Sequence, residues 1–296
     1  MPRRGLSRTA LVSVVLVVLA AGPARGLDVG LQTWAGNLGF ATDRTSTDTR
    51  FPGSRYFWGL SLYGSQPITD NLGFETGFYS DPVLRNISYT LLSYSEKVIT
   101  VGVGPFFGLF NDRGTLLKSG ISTAVKLGLP GVVFLSFRSD SSIGGALVQE
   151  GDYLQQRSDI SFGFYVQDAI CTLSLDTRKF EQKTDVDTVV DTLTIYSFST
   201  DIFQKNVPYR LIVKFSYQSL GREFVTGATT ATLNSLVLGT EVDITMSGSL
   251  LLQAGIEGSL YSFGQGTLVG SSDAFLFRSF AGVKVNVDSL PFMSRL

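Results

Sequence analysis

From residue 27 onward the chain alternates apolar and polar positions over stretches of roughly ten residues, and turn residues separate the stretches. The segment 236–247 shows this most plainly. Leu236, Leu238, Thr240, Val242, Ile244 and Met246 fall on one face, and Ser235, Val237, Gly239, Glu241, Asp243 and Thr245 on the other. After Ser247-Gly248 the alternation resumes, with Leu250, Leu252, Ala254, Ile256 and Leu260 together and Gln253, Gly255, Glu257, Ser259 and Tyr261 opposite. Period two with one apolar face is the mark of a strand, so this is a hairpin with a greasy and a polar side. The same pattern predicts twelve strands, over 27–40, 56–66, 71–80, 89–110, 116–129, 157–167, 170–178, 191–202, 207–218, 236–247, 249–262 and 274–287. Ten remain if the seventh and eighth are not strands. No amphipathic helical stretch separates them, and no run after residue 27 approaches the ~18 apolar residues of a membrane-spanning helix.

The connections alternate in length. Short ones run over 67–70, 111–114, 168–169, 203–206 and 247–248; long polar ones over 41–55, 81–88, 130–156, 179–190, 219–235 and 264–273. Short turns at one rim and long loops at the other predict an all-β, antiparallel, up-and-down transmembrane β-barrel with short periplasmic turns and long outer loops. Hydrocarbon demands that every backbone N–H and C=O be paired, which strands achieve only by closing on themselves. The lipid face then holds Val207, Tyr209, Leu211, Val213, Phe215 and Tyr217, with Tyr56, Trp58, Leu60, Leu62, Leu72, Phe74 and Phe78. Tyr56, Trp58, Tyr209, Tyr217, Phe275 and Phe277, near strand ends, would meet the two membrane interfaces. The competing reading is a soluble barrel with these faces buried inside.

Composition narrows the chemistry. Only 17% of residues are charged, and 24 basic side chains nearly balance 25 acidic ones. Nothing here offers the basic stripe that nucleic acid requires. Histidine is absent and cysteine occurs once, which removes the usual general base, the commonest metal ligand and any disulfide framework. The expectation is a protein that is not an enzyme, with no catalytic residues, metal or cofactor. Residues 1–26 form a secretory signal peptide, from Arg3, Arg4 and Arg8 through the apolar run 10–21 to Ala24-Arg25-Gly26, with cleavage near Gly26. Without its four arginines the chain keeps 20 basic and 25 acidic residues, a net charge of −5.

Candidate chemistry lies on the faces assigned inward. The pore-lining cations are Lys118, Lys126, Arg210, Lys214, Arg278 and Lys284, and the anions Glu75, Glu241, Asp243 and Glu257. Such charges screen solutes in a pore, or pair across a narrow lumen and plug it. The inward glycines Gly73, Gly77, Gly102, Gly104, Gly120, Gly128, Gly163, Gly239, Gly255 and Gly282 leave room for water or bend the sheet. Twelve strands give a lumen wider than that of an eight-stranded barrel, and the first strand follows the cleavage point with no hatch before it. Any constriction would have to come from the loop 130–156, which carries Arg138, Asp140, Glu150 and Asp152, folding inward; an exposed loop with the same charges is the favoured reading. Asp185, Asp187 and Asp191 look calcium-like but lack the glycine and bidentate glutamate of a calcium loop, so they read as a solvated loop. Gly102-Val103-Gly104 precedes no helix and fails the dinucleotide pattern. Cys171 sits on an apolar face as a small hydrophobe, and Pro105 predicts a bulge or strand end.

The last strand reads Phe280-Ala281-Gly282-Val283-Lys284-Val285-Asn286-Val287, with Gly282 third and Val285 and Val287 sixth and eighth. With the signal peptide and the alternating strands, it resembles bacterial outer-membrane β-barrels of the porin-like class; in overall style the chain is similar to small spirochaete outer-membrane barrels. The resemblance covers residues 27–287, and 288–296 form a short C-terminal extension. It departs in placing Phe280 where a polar residue is usual and in continuing for nine residues where a terminal aromatic is expected. The resemblance implies a bacterial outer-membrane location, contact with outer-membrane lipid, and delivery by the assembly machinery through Gly282, Val285 and Val287. It further implies a pore for passive or selective passage of small hydrophilic solutes. The alternative is a surface-exposed structural barrel or adhesin with a blocked lumen and ligand-binding outer loops. The oligomeric state stays open.

Overall fold

The computed structural model describes residues 26–37, 57–111, 115–142, 151–203, 207–247, 249–266 and 275–286. Of the expected signal peptide only Gly26 falls among them; Tyr56, Glu150, Val287 and the C-terminal extension lie outside. Among the described residues fourteen strands close into one antiparallel barrel in which each pairs with its neighbours in sequence and the last returns to the first. They are β1 (Asp28–Gly36), β2 (Phe57–Pro67), β3 (Leu72–Asp81), β4 (Arg85–Glu96), β5 (Ile99–Asn111), β6 (Thr115–Leu129) and β7 (Val133–Ser142). The second half comprises β8 (Tyr153–Val166), β9 (Ala169–Lys183), β10 (Thr188–Phe203), β11 (Tyr209–Phe224), β12 (Thr229–Ser247), β13 (Leu250–Gly266) and β14 (Phe277–Asn286). β1 and β14 seal the cylinder from Asp28–Asn286 to Gly36–Arg278.

The strand count corrects the twelve expected, for two reasons. The strand predicted over 89–110 is two, β4 and β5, reversed at Lys97-Val98. That turn holds neither glycine nor proline, and Lys97 itself adopts the left-handed backbone (φ 41°), so the alternation runs through it without a sequence signal. The other addition is β7, inside the segment 130–156 taken for a loop. Its outward face changes from Val133, Leu135 and Phe137 to Ser139 and Ser141, which hides it from a search for greasy strands. Pro105 neither bulges nor ends its strand. β5 stays in register with β6 through Pro105–Ile121, while pairing to β4 lapses between Tyr89–Phe106 and Leu92–Val103, where the missing N–H falls.

One rim carries only connections of two to five residues, together with the start of β1 and the end of β14. At the other rim only 37–56, 143–152 and 267–276 are long; β3–β4, β5–β6, β9–β10 and β11–β12 are joined by three or four residues. The loops expected over 81–88, 179–190 and 219–235 are therefore largely strand. β8–β13 run to 14–19 residues, against 9–12 for β1–β4 and 10 for β14.

Those long strands change character along their length. On β11 the outward side chains are Tyr209, Leu211, Val213, Phe215 and Tyr217, then Ser219, Gly221 and Glu223. Inward stand Arg210, Ile212, Lys214, Ser216 and Gln218, followed by Leu220, Arg222 and Phe224. β9, β10 and β12 invert in the same way. Below the inversion the barrel shows apolar side chains to the outside, among them Phe198, Leu173, Ile160, Phe137, Leu238, Ile244, Leu252 and Ile256, all exposed. A continuous exposed apolar band of this extent is not tolerated in water; it is the lipid-facing belt of an outer-membrane-type barrel, and Trp58, Tyr209, Tyr217 and the stacked pair Phe275–Phe277 stand on that outward side. A bulge on β13 makes one further correction. Leu236 pairs Tyr261 while Val237 pairs Ser259, so the extra residue Leu260 turns Tyr261 to the outside, where it is 60% exposed.

Candidate functional site in the barrel lumen

Strand register puts Glu75 (β3), Lys118 and Lys126 (β6), Arg210 and Lys214 (β11), Glu241 and Asp243 (β12), Glu257 (β13), and Arg278 and Lys284 (β14) at inward positions. Toward the short-turn rim, Lys284 pairs with Asp28 at 2.7 Å and Arg210 with Asp201 at 2.6 Å and Asp243 at 3.7 Å. Higher up, Arg278 meets Glu257 at 2.7 Å, and Lys118 pairs with Asp152. Lys126 stands 5.2 Å from the centre of the Phe134 ring. Lys214 and Glu241 have no ion-pair partner among the described residues.

A second set of charges crosses the lumen; of these Glu75 is expected inward from sequence, Arg138 and Asp140 are expected in a loop, and Arg157, Asp176, Arg178 and Asp81 are not singled out. Arg138 on β7 bonds Asp140 at 3.1 Å and Glu75 of β3 at 3.3 Å, and its guanidinium lies 3.9 Å over Tyr89, whose hydroxyl donates to Glu75 at 2.7 Å. Arg157 on β8 bonds Asp176 at 3.2 Å and donates to the Tyr79 hydroxyl at 3.4 Å. Arg178 on β9 joins Asp176 at 2.8 Å to Asp81, the last residue of β3. These contacts run from β3 to β7, β8 and β9 and so cut across the lumen. Asp176 and Arg178 were legible, since they share the inward parity of Thr172 and Ser174 in a predicted strand. Arg138 and Asp140 face the lumen because β7 is a strand of the wall, paired to β6 and β8, and not part of a loop.

Among the described residues the constriction is not a loop of 130–156, where 133–142 and 153–156 are wall strand and 143–150 lie outside the description. It is the turn Pro82–Leu84 between β3 and β4, folded into the barrel. Asp81 Oδ1 accepts the backbone N–H of both Val83 and Leu84 at 2.8 Å, which bends the chain inward. Val83 and Leu84 are completely buried. Val83 belongs to one apolar cluster with Tyr153, Phe180, Leu193, Ile195, Leu220, Ala231, Leu233 and Leu276, contributed by β8–β12 and the residue before β14. Leu84 joins Ile87, Tyr89, Leu91 and Phe106. Gln155 donates its amide to the Leu84 carbonyl, and Tyr153 donates to the Gly108 carbonyl at 2.8 Å. The inverted upper parts of β9–β12 thus supply the apolar wall against which this turn packs, and an apolar layer crosses the lumen near the long-loop rim.

Several inward glycines do not open space for water but seat aromatic rings. A Cβ at Gly77 would meet the Tyr89 ring at 2.4 Å, one at Gly163 the Phe134 ring at 2.2 Å, and one at Gly255 the Phe280 ring at 2.3 Å. Phe280, the departure from the usual final strand, is one of these inward rings. Outside the barrel, Cys171 is half-buried with Sγ 3.9 Å from Thr200 Oγ1. Asp185, Asp187 and Asp191 do not converge. Asp191 forms a buried bidentate pair with Arg222 at 2.7 and 2.9 Å. Asp187 accepts from the backbone N–H of Thr188, Thr226 and Gly227 at 2.6, 2.7 and 2.9 Å, tying the β9–β10 turn to the β11–β12 turn. Slight burial acts to raise the Asp187 pKa, but these backbone donors outweigh it and hold the carboxyl below its ordinary value. No group of three metal-binding side chains occurs among the described residues.

No protein-family model and no curated protein matches the sequence. Solved structures similar to the barrel include OmpF of Salmonella typhi, at 8% identity and a TM-score of 0.44, over 89% of this chain and 98% of that one. An outer-membrane channel of Pseudomonas putida matches at 11% identity and 0.42, over 88% and 95%. A loop-deleted OmpT, an outer membrane protein of Vibrio cholerae, does so at 11% and 0.42, over 88% and 97%. Identity and superposition at this level say nothing of what this chain carries.

Proposed function

We propose that the protein is a channel of the bacterial outer membrane for small hydrophilic solutes, closed at its long-loop mouth by the β3–β4 turn. The observation that supports this reading is the division of the lumen into two zones. From the short-turn rim upward its wall carries charged and polar side chains, exposed or half-exposed at Asp28, Lys126, Arg210, Lys214, Glu241 and Lys284 and buried at Asp243 and Glu257, as an aqueous pore requires. Near the other rim a single three-residue turn completes an apolar layer, and hydrophobic constrictions shut off ions by excluding water. Delivery by a cleaved signal peptide and by assembly machinery acting on the final strand at Gly282, Val285 and Val287 belongs to the same reading. Complete burial of Val83 and Leu84 favours a second reading, a structural barrel whose lumen stays blocked and whose outer loops bind ligands.

Conductance in planar bilayers separates the two. The wild type is expected to give rare or small openings and the double substitution Val83→Asp, Leu84→Asp a conductance severalfold larger, because charge in the apolar layer admits water. Silence from both proteins, each shown to be folded and inserted, would overturn the channel reading.

A further inference from the structure

Five lumen rings lie flat against the wall because each is seated over a glycine of an adjacent strand: Tyr89 on Gly77, Phe134 on Gly163, Tyr63 on Gly30, Trp34 on Gly59 and Phe280 on Gly255. Two of them already carry a cation, Arg138 over Tyr89 at 3.9 Å and Lys126 over Phe134 at 5.2 Å. Among the described residues no cation or second ring covers Trp34, Tyr63 or Phe280, and all three are half-exposed. Trp34 is further fixed by its indole N–H, which donates to the Ser80 carbonyl at 3.0 Å across the intervening strand β2. Its face, not its edge, therefore looks into the lumen.

These bare faces adjoin a carboxyl pair, Glu241 and Asp243, hydrogen-bonded to each other and short of cations. One register line runs Glu241, Gly255, Phe280, Trp34, Gly59 across β12, β13, β14, β1 and β2. Glu241 thus stands beside the glycine that Phe280 covers. The next line runs Asp243, Gln253, Gly282, Gln32. Asp243 accepts from Gln253 at 3.2 Å and shares Arg210, 3.7 Å away, with the closer Asp201. Glu241 and Asp243, two residues apart on one face, are served by a single arginine that a third carboxylate already holds.

We infer that this wall of β12–β14, β1 and β2 is a subsite for small organic cations bearing an ammonium or quaternary ammonium head. Ring faces attract such cations through their quadrupole. The Glu241–Asp243 pair, which with Asp201 outnumbers the one Arg210, supplies the charge attraction, and the Gln32 and Gln253 amides flank the same floor. A strongly hydrated inorganic cation gains little from the rings, so preference for the organic ion is the mark of the site. The inference rests on the channel reading for entry of the solute, yet binding can be read without conduction.

Trp58 lies outside the barrel, and the chain has only two tryptophans. Trp58→Phe therefore leaves Trp34 as the sole reporter in full-length protein folded in detergent micelles. Choline chloride should change its emission saturably, with apparent affinity about tenfold above that for sodium chloride at matched ionic strength. Glu241→Gln should lower the choline affinity about tenfold, and Phe280→Leu should lower it while leaving the folded barrel intact by gel mobility. An equal response to sodium, no response to choline, a choline response indifferent to Glu241→Gln, or saturation by glucose but not choline would each overturn the site. Choline binding by a barrel that never conducts would sink the channel reading and leave the site standing; a conducting barrel blind to choline would do the reverse.

Discussion

The lower and upper parts of β9–β12 obey opposite rules on the same strands. Below Tyr196 and Tyr217 the outward face is apolar and the inward face carries Ser197, Ser199, Asp201, Lys214 and Arg210; above them the outward face is Thr192, Thr194, Ser219 and Glu223, and the inward face Leu193, Ile195, Leu220 and Phe224. The backbone, pairing and period of two are unchanged across the boundary. What changes is the medium outside. Lipid asks for apolar side chains there and permits a polar interior; water reverses both demands. The belt is thus a membrane barrel, and the extension above it is built like a soluble one, with its own apolar core around Val83.

That contrast is tested most severely at Arg222, buried with Asp191 inside the extension. Arg222→Leu takes from Asp191 its buried bidentate partner and should cost about 3–5 kcal/mol, measured by urea unfolding in lipid vesicles. The double substitution with Asp191→Leu should recover most of the loss, as replacing a buried ion pair by apolar side chains of similar volume often does. A cost near zero for Arg222→Leu would mean that the extension has no water-excluded core.

A smaller effect compares two outward positions of β11. Phe215→Arg, in the belt, should destabilise by about 2–4 kcal/mol, whereas Ser219→Arg, beyond Tyr217 on the same face, should change stability by about 0.5 kcal/mol or less. Equal costs would place both side chains in the same medium and remove the boundary at Tyr217.

The inversion also explains what could be read from sequence. Wherever the apolar face points outward, alternation placed the strand and its inward charges, as on β11, where Arg210 and Lys214 stand opposite Tyr209 through Tyr217. Predicted strands stopped near Arg178 and Gln218 and began near Asp191 and Leu236, at the places where the greasy face changes sides. Beyond those points the chain looks like polar loop, although it is strand to Lys183 on β9 and Phe224 on β11. The plug was illegible for a different reason. Asp81-Pro82-Val83-Leu84 has the composition of an outer turn, and only its tertiary partners (Arg178, Gln155 and the far-wall apolar cluster) draw it inward. The ring-covered glycines likewise depend on which strands are neighbours, which local alternation does not contain.

The smallest effect concerns the tips of the extension. Asp187 binds the amides of Thr226 and Gly227 only as a carboxylate acceptor, and these bonds depress its pKa below the unfolded value of about 3.9. A depressed carboxyl contributes stability that is present above the unfolded value and is lost as pH falls through the folded one. The amide proton shifts of Thr226 and Gly227, followed by nuclear magnetic resonance in micelles, should therefore stay constant from neutral pH to about 4 and move together below it. Asp187→Asn should abolish that titration. A midpoint at or above the ordinary carboxylate value would show that the two tips are not tied in solution, and the extension would then be held by its strand pairing, its apolar core and the Asp191–Arg222 pair.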